Sequence, residues 1–266
     1  MLARKNLILG LMILVLAAPL AALAAEETTT ANAQKQEEKD KGWSVDLTLP
    51  LYSKYLSRGA LTVDDPVLQP GMTVAGYGLT FNVWGNYNLT DKIKRKNKFT
   101  EVDLTAEYAF EAGDFSFPVG VIHYLFPNMT QPNTTEVYAG VTYTALVTPS
   151  LKVYQDVGDV HGQLVAFTLN LNREVTRLHP AVACCLLLTT GVDWGSSDYN
   201  KYRYNAGVDG DRFIDASATV GVPFKVKDVL TITPSYTHVW LLDGAIKDAF
   251  GYSDKGFWGL NVTFSF

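Results

Sequence analysis

Cysteine is nearly absent: two in 266 residues, and those two, Cys184 and Cys185, are adjacent. Neighbours in an extended strand point to opposite faces, so a bond between them would strain the backbone. They read as two small apolar strand residues, not a redox pair. Histidine is also scarce. His123, His161, His179 and His238 are scattered and show no metal-ligand spacing, so neither a metal nor any other cofactor is expected. After the first 25 residues no apolar run approaches the roughly 20 residues a spanning helix needs. Basic charge is in deficit too, with 27 acids against 22 bases. That excludes a general nucleic-acid-binding surface as partner.

What is present begins with an address. "MLARKNLILGLMILVLAAPLAALA" carries Arg4 and Lys5, an apolar run and an Ala22-Leu23-Ala24 cleavage pattern, so residues 1–24 read as a secretory signal peptide. Residues 25–42 are charged and polar and cannot bury enough surface to offset ordering, so they read as a disordered leader. The remaining span, 43–266, is long enough for one domain.

That domain alternates. About twelve segments of alternating character occur at 43–56, 66–77, 79–90, 99–110, 114–126, 135–147, 150–158, 162–172, 180–194, 212–224, 229–242 and 256–266. In 256–266 one face is Trp258, Leu260, Val262, Phe264 and Phe266, and the other is Gly259, Asn261, Thr263 and Ser265. In 99–110 Val102, Leu104, Ala106, Tyr108 and Phe110 oppose Glu101, Asp103, Thr105 and Glu107. Segment 114–126 is apolar on both faces and its parity stays open. Most segments are about 9 to 14 residues long, the reach of a tilted strand across a bilayer.

A soluble sandwich also alternates. Two features favour a membrane barrel. Carboxylates sit well inside the polar faces, and aromatic residues gather near strand ends: Tyr55, Tyr87, Tyr108, Phe110, Phe126, Trp194, Phe224, Trp240, Phe264 and Phe266. Connection lengths add a third sign. Those after segments two, four, six and ten are short, and those after one, three, five, nine and eleven are long. "REVTRLH" after segment eight is long for its class, and "GDVHG" after segment seven is short. The expectation is an all-β, transmembrane, antiparallel up-and-down barrel of about twelve strands, with ten and fourteen as alternatives. Both termini would then be periplasmic, in a bacterial outer membrane.

If the last strand sets parity, the lumen-facing set follows. It holds Asp46, Lys54 and Arg58 from strand one, Gln69 from strand two, and Trp84 and Asn86 from strand three. Glu101, Asp103 and Glu107 come next, then Glu136 and Tyr138, Lys152, Tyr154 and Asp156, Asp193, and Asp215. Mixed charge inside a barrel either orients hydrophilic solutes at a constriction or fills the lumen with ion pairs. The basic loop "KIKRKNK" is a solvated outer loop, or it meets lipopolysaccharide phosphates. The loop with Tyr199, Tyr202, Arg203 and Tyr204 suits ligand stacking, or folding over the mouth onto itself.

The stretch "LYSKYLSRGALTVDDPVLQPGMTV" with "LTFNVWGNYNLTD" resembles the TorF-type porin-like exported proteins through Ser53, Tyr55, Arg58-Gly59, Pro66, Gln69 and Trp84. "VYQDVGDVHG" and "YNKYRYNAGVDG" are similar to later blocks of those relatives, while "HPAVACCLLL" departs from a polar lumen face. The resemblance implies an outer-membrane barrel of poorly defined function. By likeness to outer-membrane barrels, the terminal aromatic Phe266 is the signal read by the barrel assembly machinery.

The functional expectation is passive diffusion of small hydrophilic solutes through a porin-like channel, with outer-membrane lipid and lipopolysaccharide around it. The alternative is a closed structural barrel that docks a periplasmic or envelope partner. A lipid-modifying enzyme would need a nucleophile beside a histidine such as His238, and no serine has clear reach to it, so no catalytic residue is expected.

Overall fold

Twelve staves, each antiparallel to the next, form one closed ring in the computed structural model, which describes residues 42–204 and 207–266. The expected signal peptide, and the leader up to Lys41, lie outside the described residues. The first stave is β1 (Ser44–Thr48) with β2 (Leu51–Tyr52). A separate hairpin follows, β3 (Tyr55–Ser57) and β4 (Ala60–Val63). The second stave is β5 (Val67–Leu68) with β6 (Gly71–Gly76). Then come β7 (Leu79–Asn88), β8 (Phe99–Ala112), β9 (Phe115–Leu125), β10 (Thr134–Tyr143) and β11 (Thr148–Asp156). The longest are β12 (Gln163–His179) and β13 (Val182–Gly195). Helix α1 (Ser197–Tyr204) precedes the tenth stave, β14 (Arg212–Gly221) with β15 (Phe224–Val226). The chain finishes with β16 (Leu230–Leu241), helix α2 (Gly244–Phe250) and β17 (Asp254–Ser265). No helix among the described residues is long and apolar enough to cross a membrane.

Closure happens at the last strand. β17 pairs with β1 in the register Asp46↔Ser265, Leu47↔Phe264, Thr48↔Thr263. Val45 N–H donates to the Phe266 carbonyl at 3.0 Å, and Phe266 N–H donates back at 2.9 Å. Joining first to last leaves no edge between these staves, which removes the template for unwanted pairing. The register also explains the alternation. Pro234↔Leu260 and Leu230↔Phe264 lie on the outer face, while Ser235↔Gly259 and Thr231↔Thr263 face in.

The segment with open parity is settled by its neighbours. Tyr124 sits opposite Asp103, and Gly120 opposite Glu107, so Ser116, Gly120, Ile122 and Tyr124 face inward. Phe115, Val119 and Val121 point out and are exposed. The bulkier set took the outer face, as it does where lipid or another apolar phase is the solvent.

"REVTRLH" is not a connection. β12 pairs with β11 only up to Asn170 but continues with β13 to His179, through two register shifts at Glu174/Thr176 and Arg177/His179. Expected segment eight was too short because these bulges interrupt strict alternation. Cys184 and Cys185 are both free and both lie in β13. Cys185 stands in line with Leu187 on the inward row, at the end of the barrel that carries both described termini.

Aromatic pairs mark both rims. At the terminus end Trp43 and Tyr77 meet edge-on at 5.9 Å, and Phe115 and Tyr143 meet tilted at 4.9 Å. At the opposite end Tyr87 and Phe99 pair at 5.2 Å. Tyr55, expected in a girdle, is instead buried inside on β3. The connections at this opposite end are the long ones, and they cover it. Tyr199 and Tyr204 of α1, Ile246 of α2, and Leu164, Val208, Ile214 and Leu241 form one buried apolar cluster.

Candidate functional site

The site is built around a turn. Ser57, Arg58, Gly59 and Ala60 make a two-residue hairpin with positive φ at both centres, 50° at Arg58 and 77° at Gly59. Two positive φ values match the right-handed twist of the flanking strands, and Gly supplies the second without steric cost. A Cβ on Gly59 would stand 3.0 Å from both Asp215 Oδ2 and Leu241 Cδ2, so the tip can press against the barrel wall only as glycine.

The hairpin β3–β4 therefore folds into the mouth instead of projecting from it. This corrects the expected placement of Lys54 and Arg58 on strand one: the stave ends at Tyr52, and both residues belong to the inturned segment. Lys54 is ion-paired with Asp64 across the hairpin.

Arg58 is the central group. Its Nη1 donates to Glu136 Oε1 at 2.6 Å and its Nη2 to Glu136 Oε2 at 2.7 Å. Tyr199 and Tyr124 hydroxyls lie 3.2 and 3.1 Å away. The guanidinium carbon is 5.2 Å from the Tyr154 ring centroid. A planar fork held by both carboxylate oxygens and packed on tyrosine rings is the geometry arginine provides and lysine cannot.

Backbone contacts hold the same turn from above. Tyr204 hydroxyl donates to the Arg58 carbonyl at 2.7 Å, and Arg203 Nη2 to the Ser57 carbonyl at 3.0 Å. Tyr252 hydroxyl donates to the Gly59 carbonyl at 2.8 Å and accepts from Leu61 N–H at 2.8 Å. The Tyr-rich loop thus follows the second of its two sequence readings, folding over the mouth and packing on itself and on the hairpin. Part of its expected span, Asn205 and Ala206, lies outside the described residues.

The other expected residues fall into distinct groups. Glu101, Asp103 and Glu107 share the inward face of β8, with Trp84 and Asn86 opposite on β7. Tyr55 hydroxyl donates to Glu101 at 2.8 Å, while Asp103 Oδ1 is buried with no hydrogen-bond partner among the described residues. Deeper in the barrel Glu107 accepts from Tyr138 at 2.7 Å and from Lys152 at 3.0 Å. Asp46 faces in near the terminus end, opposite Ser265 and Thr73. Asp193 and Asp215 are direct register partners on β13 and β14.

Three expected pore residues also tie the wall together. Asp156 is buried and accepts from Gly158 and Val160 N–H at 2.9 and 3.0 Å and from Thr134 hydroxyl at 2.6 Å. Those bonds make it the clamp of the short 157–162 turn. Gln69 donates to Asn86 at 3.0 Å, and Asn86 to Thr100 at 3.0 Å, a buried ladder tying β7 to its neighbours. Tyr124 was not among the expected residues, and Arg203 was expected only as part of the Tyr-rich loop, not as a contact of the Arg58 turn. Tyr124 lies in the segment of open parity, on the same row as Ser116 and Gly120, where Ile122 and the apolar residues of the other row left neither face distinct.

Two cavities flank the hairpin. One of about 410 Å³ has Arg58, Arg203, Glu101, Asp103 and Glu136 in its wall. The other, of about 360 Å³, is walled by hydroxyl and amide side chains with Tyr52, Phe257, Leu56, Leu187 and Lys54. On the outer face His238 Nε2 is 3.2 Å from Asp254 and its Nδ1 3.2 Å from Tyr236 hydroxyl. Among the described residues no group of three or more His, Cys, Asp or Glu could hold a metal ion.

A closed twelve-stave antiparallel barrel with a charged interior and an inturned loop has the architecture of outer-membrane porins. Two solved barrels are similar to it. The NanC porin matches with a TM-score of 0.51 at 11% identity, covering 82% of this chain and 98% of that one. The KdgM porin, solved in complex with disordered oligogalacturonate, matches with 0.50 at 10%, covering 84% and 99%. At such identity the likeness shows the fold alone. Residues 36–228 match the model of the Gcw_chp family, described as bacterial protein of unknown function, and the chain belongs to that family. No curated protein matches it.

Proposed function

We propose that this protein is an outer-membrane channel through which small hydrophilic solutes diffuse, of the TorF-type porin-like kind that its first loop resembles. The observation that carries the reading is the convergence of inward Arg58, Arg203, Glu101, Asp103 and Glu136 on one cavity at the mouth. Opposed charges around a narrow passage orient polar solutes and reject apolar ones. In this reading the short-turn end with both described termini faces the periplasm, and lipid covers the outward row. The cations of residues 92–98 then lie at the outer leaflet, where lipopolysaccharide phosphates would meet them. Single-channel recording of the purified protein tests the proposal. Stable, reproducible conductance steps are expected, and a silent bilayer with correctly folded protein would overturn it.

The second reading is a closed barrel that serves as a scaffold for an envelope partner. The apolar cluster of α1, α2 and Leu164 over the mouth favours it. The same recording separates the two.

A further inference from the structure

The two cavities beside the hairpin share one lining residue, Tyr55. The residue is 8% exposed, and its ring tilts against Trp84 of the barrel wall at 5.8 Å. Its hydroxyl is fixed on Glu101, and Val63 and Val67 pack behind it. The hairpin that carries it is held by the Arg58–Glu136 pair and by tyrosines from two other loops. Tyr55 is thus a pinned ring between two spaces, not a mobile side chain.

The two spaces differ in chemistry. The outer one has three carboxylates and two guanidinium groups in its wall. Among the described residues the inner one has no carboxylate in its wall, and its one charged side chain, Lys54, is already paired with Asp64. Thr233, Ser235 and Asn261 supply hydroxyl and amide groups there. Tyr52 meets Phe257 edge-on at 5.7 Å and lies so close to the β17 backbone that a Cβ at Gly259 would stand 2.4 Å from it. Aromatic faces beside hydroxyls and amides, without counter-charge, bind a molecule that has C–H faces and many hydroxyls. A volume of about 360 Å³ is at the small end of ligand cavities, roughly 300–1,000 Å³.

We propose that Tyr55 is the specificity-determining partition of the lumen, and that the chamber behind it accepts one small, uncharged, polyhydroxylated solute of monosaccharide size. The solute class rests on the channel reading above; the partition does not. An anion of equal size loses water on passing Tyr55 and meets only Lys54, which Asp64 already neutralises, and a cation meets no carboxylate there, so either passes more slowly.

The test uses the full barrel in liposomes and planar bilayers, with arabinose, glucose, gluconate and raffinose as probes. Glucose influx is expected to exceed gluconate influx, and raffinose is expected to be excluded. Tyr55→Ala should raise raffinose influx and KCl conductance by about threefold or more, while Tyr55→Phe, which keeps the ring, retains the raffinose cut-off. If the native barrel conducts and Tyr55→Ala changes neither value, the partition is wrong and the channel stands. If the native barrel is silent and Tyr55→Ala conducts, the channel reading is wrong and the partition stands. Silence in both overturns both. Equal entry of gluconate and glucose overturns the solute class. Should Tyr55→Ala not assemble, Tyr55→Leu keeps the packing on Val63 and Val67, shortens the side chain and gives the same comparison.

Discussion

Arg58 and Glu136, 78 residues apart, form a two-pronged ion pair with N–O distances of 2.6 and 2.7 Å inside the barrel. One partner comes from an inturned hairpin and the other from the wall, so the pair joins plug to barrel. Glu136 is only 4% exposed at its side chain. Removing its partner leaves a buried carboxylate held, among the described residues, only by the Tyr124 hydroxyl at 2.7 Å, a loss of about 3 kcal/mol, the low end for breaking a buried pair. Arg58→Ala should therefore free the hairpin, measured as faster proteolysis within residues 53–66 and noisier conductance. Arg58→Lys should restore little, because an ammonium cannot engage both oxygens. The double variant Arg58→Met with Glu136→Leu should be closer to native stability than either single removal.

The outward and inward rows of the last strand differ in what they tolerate. Leu260 is on the outer row and Asn261 on the inner. An arginine on a lipid face near the midplane costs about 2–4 kcal/mol, whereas an inward one meets water and polar groups. Leu260→Arg should lower the yield of heat-modifiable, folded protein in vesicles much more than Asn261→Arg. Equal yields would mean that Leu260 does not face lipid.

Phe266 ends the chain at 70% exposure while its backbone exchanges two hydrogen bonds with Val45. Its deletion removes both bonds at the seam between first and last staves, along with the ring proposed as the assembly signal. Membrane-inserted, heat-modifiable protein should fall several-fold in cells. Phe266→Ala separates the two effects, since it keeps the backbone bonds and removes only the ring.

Acid should loosen the mouth through Asp243, which caps α2. Its carboxylate accepts from Ala245 and Ile246 N–H at 2.8 and 3.3 Å and pairs with Arg212 at 2.9 Å. Partial burial pushes its pKa up, but the bonds from Arg212 and the two amides outweigh that and hold it below the ordinary carboxylate value. A depressed folded-state value stabilises above the unfolded pKa, near 3.9, and the contribution is lost as pH falls through the lower, folded value. The protection of amides 244–250, taken relative to their intrinsic exchange rate, should be full at neutral pH and fall only below about pH 4. Asp243→Ala should lower it at all pH values, with loss of about 1 kcal/mol from the cap alone.

The stave count, the lipid-like outer row and the closing role of 256–266 were legible in the sequence because a strand has a period of two. One buried or lipid-facing side is enough to write that period into the residues. Bulges erase it locally, which is why the β12 extension through "REVTRLH" read as a connection. The placement of Asp156 could not be read either. A carboxylate facing a lumen and one clamping a turn have the same parity, and only its bonds to Gly158, Val160 and Thr134 tell them apart.

What the sequence by itself determined is a barrel: alternation, short turns at one end and long loops at the other. What only the tertiary structure decided is what fills the mouth. The Arg58-Gly59 pair marks a tight turn in any context, but whether that turn points to solvent or into the lumen depends on partners contributed by distant strands and loops. Glu136, Tyr204, Tyr252 and the wall at Asp215 supply them here. Such contacts join residues far apart in the chain, and a local pattern carries no record of them.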